Sequence, residues 1–326
     1  MPGQPLIGDL HVNRPLSNIS VAYQSQGTFV HSTVFPVINV QNQSDQFWRY
    51  PKGVFYRQDV EPRSPGAETA ETGWQVELDA YYTPVYGLHV DIPDMTRANA
   101  DSVFSLDRDA TQILVGQMQR KRESIWISRF FKTGVWHEDR AGVASGPTGT
   151  QFLRWDNDSS DPVEQVEQWR VAKQEATGLS YNTLVIGPYV MSALKNHPAL
   201  IDRVKYTQRG VLTEELVSSM LGVRVIVADA IQATSLAEPG VYATPNLGFM
   251  FGKAGLFCYT TPSPSLMTPT AGYQFQWTGY LGAGGGTRIK KFRLEHLASD
   301  RIEIEAAFDM RIICSDLGMY LSTMVS

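Results

Sequence analysis

The residues best equipped for chemistry in this chain stand apart from one another. Six histidines, His11, His31, His89, His137, His197 and His296, show no HxxxH spacing, and no cysteine pair stands at metal-binding spacing. A zinc centre needs clustered nitrogen and sulfur ligands, so the sequence points to no metal. Cys258 and Cys314 sit in apolar surroundings, LFCYT and RIICSD, and read as buried free thiols. His137-Glu138-Asp139 reads as a solvated loop, because adjacent loop residues point different ways. Gly282, Gly284 and Gly286 form GxGxG ahead of Lys290 and Lys291. A phosphate loop needs a following helix whose amides receive the anion, whereas β structure follows here, so a hairpin connection is expected. Gly252-Lys253 lacks the upstream glycine of a Walker loop, no GxSxG occurs, and Ser145 has no local base. The run Asp156 to Asp161 begins like a calcium loop, but Pro162 and Val163 stand where ligands would continue it. The expectation is no catalytic, cofactor-binding or metal-ligating residue, and no enzyme.

What remains is charge on two long elements. Arg49, Lys52, Arg57, Glu61, Arg63, Glu68 and Glu71 lie along a ribbon, and Arg120, Lys121, Arg122 and Glu123 lie on a rod. These are the candidate subunit contacts. A surface ion pair contributes little alone. Repeated through a closed assembly, weak contacts accumulate.

The ribbon runs roughly from Phe47 to Pro93. In GWQVELDAYYT, Trp74, Val76, Leu78, Ala80 and Tyr82 alternate with Gln75, Glu77, Asp79 and Tyr81, the pattern of a strand with one wet face. Gly53–Val60 is the expected opposing strand. The tip Glu61–Gly73 carries two prolines, two glycines and three glutamates, which makes a long loop and not a tight turn. Such a ribbon has backbone edges that another chain can cover.

The rod is a helix from Ser105 to about Thr133, with Asp107 and Asp109 in its first turn. Leu106, Ala110, Ile113, Leu114, Gln117, Met118 and Ile125 form its expected apolar stripe. A second helix starts at Asp161-Pro162 with Glu164 completing a capping box, and runs to about Thr177. From 178 to 260 strands and helices alternate: Tyr181–Ile186, Pro188 to Lys195, Ala199–Val204, Thr213 to Leu221, Val223–Ala228, a loop Ile231–Asn246 and a strand Leu247–Tyr259. Near the end, Ile302, Ile304, Ala306, Phe308, Met310 and Ile312 alternate with mostly polar residues, so a long strand packed against the rod is expected, with Lys290–Leu294 beside it. Residues 1–45, rich in Asn, Gln and Ser with small apolar islands at Ile19–Ala22 and Val34–Val40, read as an extended arm.

Composition narrows the function classes. The chain is 43% hydrophobic, 19% charged and carries net charge −5, which suits a globular protein and disfavours a dedicated duplex-binding one. No apolar run reaches the length of a membrane span, and no signal-peptide pattern opens the chain. Synthesis in a reducing cytoplasm fits these features.

The order of parts, with the tracts RWDNDSSDPVEQVEQW, YNTLVIGPYVMSALKNHPALIDRVKYT and LTEELVSSMLGVRVIVADAI, resembles the major capsid proteins of tailed bacteriophages, most closely the lambda-type major head proteins. The resemblance implies an α+β HK97-like capsid fold. It divides the chain into an N-terminal arm (1–45), an extended β-ribbon loop (46–93), a peripheral domain with the spine helix (94–177), an axial domain (178–260), and a return linker with peripheral strands (261–326). It implies pentamers and hexamers of an icosahedral shell around double-stranded DNA, made in the host cytoplasm and located in the virion. Portal, scaffolding and decoration proteins are the implied partners. Ribbon crosslinking is not expected: Lys52 is the only ribbon lysine and nothing nearby marks it as reactive. Two alternatives remain: a nanocompartment shell subunit of the same fold enclosing protein cargo, and an enzyme using the 178–260 lobe.

Overall fold

A 25-residue helix laid across a mixed sheet carries the larger core, and a second mixed sheet carries the other. The computed structural model describes residues 27–54, 56–100, 105–205, 212–233, 246–263, 268–282 and 286–326. The apolar island Ile19–Ala22, most of the loop Ile231–Asn246 and the centre of the glycine cluster lie outside the described residues.

In chain order the elements are β1 (Val37–Val40), β2 (Ser44–Arg49), β3 (Glu77–Tyr82), β4 (Val85–Pro93), α1 (Asp94–Asn99), α2 (Leu106–Phe130), β5 (Glu138–Val143), β6 (Gln151–Leu153), α3 (Pro162–Thr177), β7 (Thr183–Ile186) and α4 (Pro188–Lys195). They continue with α5 (Pro198–Val204), α6 (Glu214–Leu221), β8 (Arg224–Val227), β9 (Ile231–Ala233), β10 (Leu247–Phe249), β11 (Gly255–Cys258), β12 (Gly272–Trp277), α7 (Thr278–Leu281), β13 (Thr287–Leu294), β14 (Ser299–Ile312) and β15 (Gly318–Ser322).

Helix α2 runs unbroken through Gly116 and Ser124 and spans about 37 Å at 1.5 Å per residue. Its buried row is Ala110, Leu114, Met118, Arg122, Trp126 and Phe130, with Glu123 beside it. The expected stripe is therefore corrected: Ile113 is 55% exposed, and the true row repeats every fourth residue. That row lies on Ile302, Ile304, Ala306, Phe308 and Met310 of β14, as the alternation predicts. The reverse face of β14 is also covered near Asp309, where the Tyr82 amide donates to Asp309 Oδ2 at 3.2 Å.

Strand β14 lies between β13 and β4 over residues 299–307, then pairs with β12, which in turn pairs in parallel with β1. From residue 27 onward the segment read as an arm is docked on the body. Val30, Val34 and Phe35 are buried in the α2 core and β1 is a sheet strand, because this apolar island finds an apolar groove on the body.

The second sheet has the order β6-β5-β15-β11-β7-β8. Its strand β15 comes from the end of the chain and lies between β5 and β11, so residues 261–326 do not serve the first sheet alone. Gly318 permits this insertion, since any Cβ there would overlap the Trp136 ring. The single strand expected over Leu247–Tyr259 is two: β10 pairs with β9, and Gly252, at φ 59°, turns the chain so that β11 joins the larger sheet.

Helix α3 begins as its sequence predicts. Asp161 Oδ1 accepts from the amides of Val163 at 3.0 Å and Glu164 at 3.2 Å, and Gly178 closes the helix at φ 74°. Glu164 is engaged by Gln168 and so does not complete the capping box.

Candidate subunit-contact surface

The ribbon is built differently from its sequence-based expectation. The partner of β3 is β2, in the register Arg49 opposite Glu77 and Ser44 opposite Tyr82; none of the described residues of Gly53–Val60 lies in a strand. Aromatic anchoring explains the choice. Phe47 and Tyr81 lie on one ribbon face and contact Phe275 of β12 at ring-centroid distances of 5.4 and 4.6 Å.

That register turns the other face outward. Trp48 stands opposite Leu78, and Ser44 opposite Tyr82, so these residues share a face. Trp48 is 60%, Leu78 57% and Tyr82 54% exposed. Beyond the strands, residues 60–76 are exposed throughout, including Trp74 at 70%. The alternation that marks a half-buried strand therefore presents its apolar face to solvent. An exposed apolar patch on a folded chain marks an interaction site.

The ribbon root is tied to the body. Lys52 Nζ lies 3.0 Å from Asp316 Oδ2, and the Tyr56 hydroxyl donates to the Thr177 carbonyl at 2.8 Å. Burial alone would raise the Asp316 carboxyl; Lys52, with His137 and Lys173, more than offsets this and holds it below the usual carboxylate range.

The charged candidates scatter. Arg49 pairs with Glu77 across the ribbon, Arg57 with Asp59 at 3.2 Å, and Arg63 Nε donates to the Ala67 carbonyl. Glu61, Glu68 and Glu71 are exposed at the tip, Lys121 is exposed on α2 and Arg120 is half-buried. Arg122 and Glu123 are corrected, because both are buried inside the chain. Arg122 donates to Thr287 Oγ1 at 2.7 Å and to the Gly286 carbonyl at 3.3 Å, and lies over the Phe308 ring. Burial pushes its guanidinium down to about 10, which still leaves it charged at neutral pH. Glu123 accepts from the backbone of Val30 and His31. The outward apolar face of Trp48, Leu78 and Tyr82 is not legible in the sequence, because solvent and core cannot be told apart by period alone.

Two buried histidines have close local partners. His31 Nδ1 lies 2.7 Å from Glu123, and His197 Nε2 lies 2.9 Å from Ser160 Oγ while its Nδ1 caps α5. Among the described residues no group of three His, Cys, Asp or Glu is placed to hold a metal ion. Both cysteines are free, and burial pushes the Cys258 and Cys314 thiols up. The open hollow between α3, α6 and β8, about 710 Å³, is lined by Arg170, Glu214, Glu215, Ser218 and Arg224 among others, with no histidine among its described lining residues. No described helix is long and apolar enough to cross a membrane.

No protein-family model matches the chain. Over 228 residues, 68% of this chain and 70% of the relative, it is 25% identical to the major capsid protein of Burkholderia phage BcepMu. Among solved structures, a phage-related protein from Bordetella bronchiseptica is 20% identical with TM-score 0.67, covering 93% of this chain and 94% of that one. The capsid of Cyanophage P-SCSP1u is 10% identical with TM-score 0.62, covering 93% and 90%. The holo-SrpI encapsulin complex from Synechococcus elongatus is 9% identical with TM-score 0.57, covering 96% and 95%. The fold is thus the α+β HK97-like fold of phage capsids and encapsulins, and the resemblance read from the sequence is borne out.

Proposed function

We propose that this chain is the major capsid protein of a tailed phage, a structural subunit that assembles into the shell enclosing double-stranded DNA. The observation that carries the reading is the outward apolar ribbon face of Trp48, Leu78 and Tyr82, mounted on a capsid fold. Its reverse face is already spent on Phe275, so the exposed face is available to a second copy. In the shell, the ribbon laps the neighbouring subunit, α2 serves as the spine of the peripheral domain, and the 178–260 lobe approaches the capsomer centre. Pentamers and hexamers, with portal and scaffolding partners, follow from this reading, as does a place in the virion after synthesis in the host cytoplasm.

An encapsulin-like shell around protein cargo shares the fold. The sequence relative, a phage major capsid protein, favours the DNA-filled shell. Negative-stain microscopy of the expressed chain, with and without its phage's scaffold, tests the reading. Closed polyhedral particles are expected, and Leu78→Asp should cut their yield by at least ~10-fold while leaving the subunit folded. Persistent monomers from the wild-type chain under both conditions would count decisively against it.

A further inference from the structure

Residues 28–35 are gripped by three parts of the molecule that are far apart in sequence. Glu123, fully buried on α2, accepts from the Val30 amide at 2.9 Å and the His31 amide at 3.0 Å, with His31 Nδ1 at 2.7 Å. Asp229, just past β8 in the second sheet, accepts from the Thr28 amide at 2.5 Å. Gln274 of β12 donates to the His31 and Phe35 carbonyls. Between these polar points, Phe35 packs against Trp126 and Phe130 with ring centroids 5.8 and 4.6 Å apart.

The energetics couple these contacts. A carboxylate removed from water needs its lone pairs satisfied. Glu123 meets that need with donors supplied by residues 30 and 31. Lifting the segment would leave a buried charge without compensation and open the apolar groove beside Trp126. The carboxylate on α2 and the one beside β8 hold the same short stretch of backbone, only two residues apart.

We propose that residues 28–35 form a staple that locks α2 to the second sheet, so that loosening either grip loosens the other. Its use in a shell rests on the capsid reading, whereas the coupling itself does not.

Hydrogen exchange on the full-length chain tests it, with Glu123→Ala and Asp229→Ala as variants. In Glu123→Ala the Val30 and His31 amides should exchange at least ~100-fold faster. The loosening should spread to Thr28 and to the Ala228 and Met250 amides that flank Asp229, while Leu114 and Met118 keep wild-type protection. Asp229→Ala, which removes the acceptor of the Thr28 amide, should loosen Val30 and His31 in return, and it carries the test alone if Glu123→Ala does not fold. Loss of protection confined to the mutated side, or none at all, overturns the staple. Coupled exchange in a chain that never forms particles would sink the capsid reading and leave the staple standing; particles with uncoupled exchange would do the reverse.

Discussion

Arg122 shows how much one residue's role depends on its surroundings. In sequence it belongs to a basic run, Arg120-Lys121-Arg122, that reads as surface charge. In the fold it is 7% exposed, its Nε is buried without a partner, and its hydrogen bonds go to a carbonyl and a hydroxyl. A buried cation without a carboxylate partner adds little to stability. Arg122→Met, similar in length and apolar, should leave unfolding free energy unchanged or raise it by ~1–2 kcal/mol in urea titration. A loss of several kcal/mol would show that the Thr287 and Phe308 contacts outweigh the cost of burial. Glu123 is the opposite case, a buried carboxyl that accepts from two backbone amides beside the His31 ring, and nothing in its neighbours along the chain distinguishes the two.

At the scale of elements, the junction of α1, α2, β13 and β14 is held by charge. Arg97 bridges Asp107 and Asp300, Lys291 reaches Asp107 at 2.7 Å, and Arg293 pairs with Asp94. Hydrogen bonds from Arg97 and Lys291 depress the Asp107 carboxyl from 3.8 to about 2. A folded value below the unfolded one means the stabilisation is complete above pH 3.8 and is lost as pH falls toward 2. Asp107→Asn should therefore lower Tm at neutral pH by only ~1–3 °C, since the pairs are partly exposed and screened. It should also flatten the fall of Tm between pH 4 and pH 2 relative to wild type; parallel Tm–pH curves for the two proteins would refute the assignment. The start of α3 was legible because Asp161 and Pro162 act within a few residues of the amides they cap. The ribbon pairing was not, because β2 and β3 are separated by residues 50–76 and are chosen by contact with Phe275.

For the whole molecule, the placing of β15 matters most. It lies inside the six-stranded sheet, and Met319, Leu321 and Met324 are fully buried. Removing residues 318–326 should abolish the cooperative thermal transition seen by circular dichroism, because it splits β5 from β11 and opens the smaller core. A truncated chain that melts cooperatively at the full-length Tm would contradict this topology. The division into arm, ribbon, peripheral and axial parts stays a proposal, and Val185, Ile226 and Leu256 show that the core beneath α2 continues into the second sheet.

The sequence by itself determined what local rules control: where α2, α3, α4 and α6 lie, the long alternating strand β14, and the order of parts that pointed to a capsid fold. Helix caps, periodicity and turn residues act over a few positions, so they can be read along the chain. Only the tertiary structure decided which faces meet water. It buried Arg122 and Glu123, docked residues 30–35 on α2, threaded β15 into the second sheet, and turned Trp48, Leu78 and Tyr82 outward. The physical reason is that burial depends on which distant surface a face finds. For the outward ribbon face, that surface is proposed to belong to a second copy.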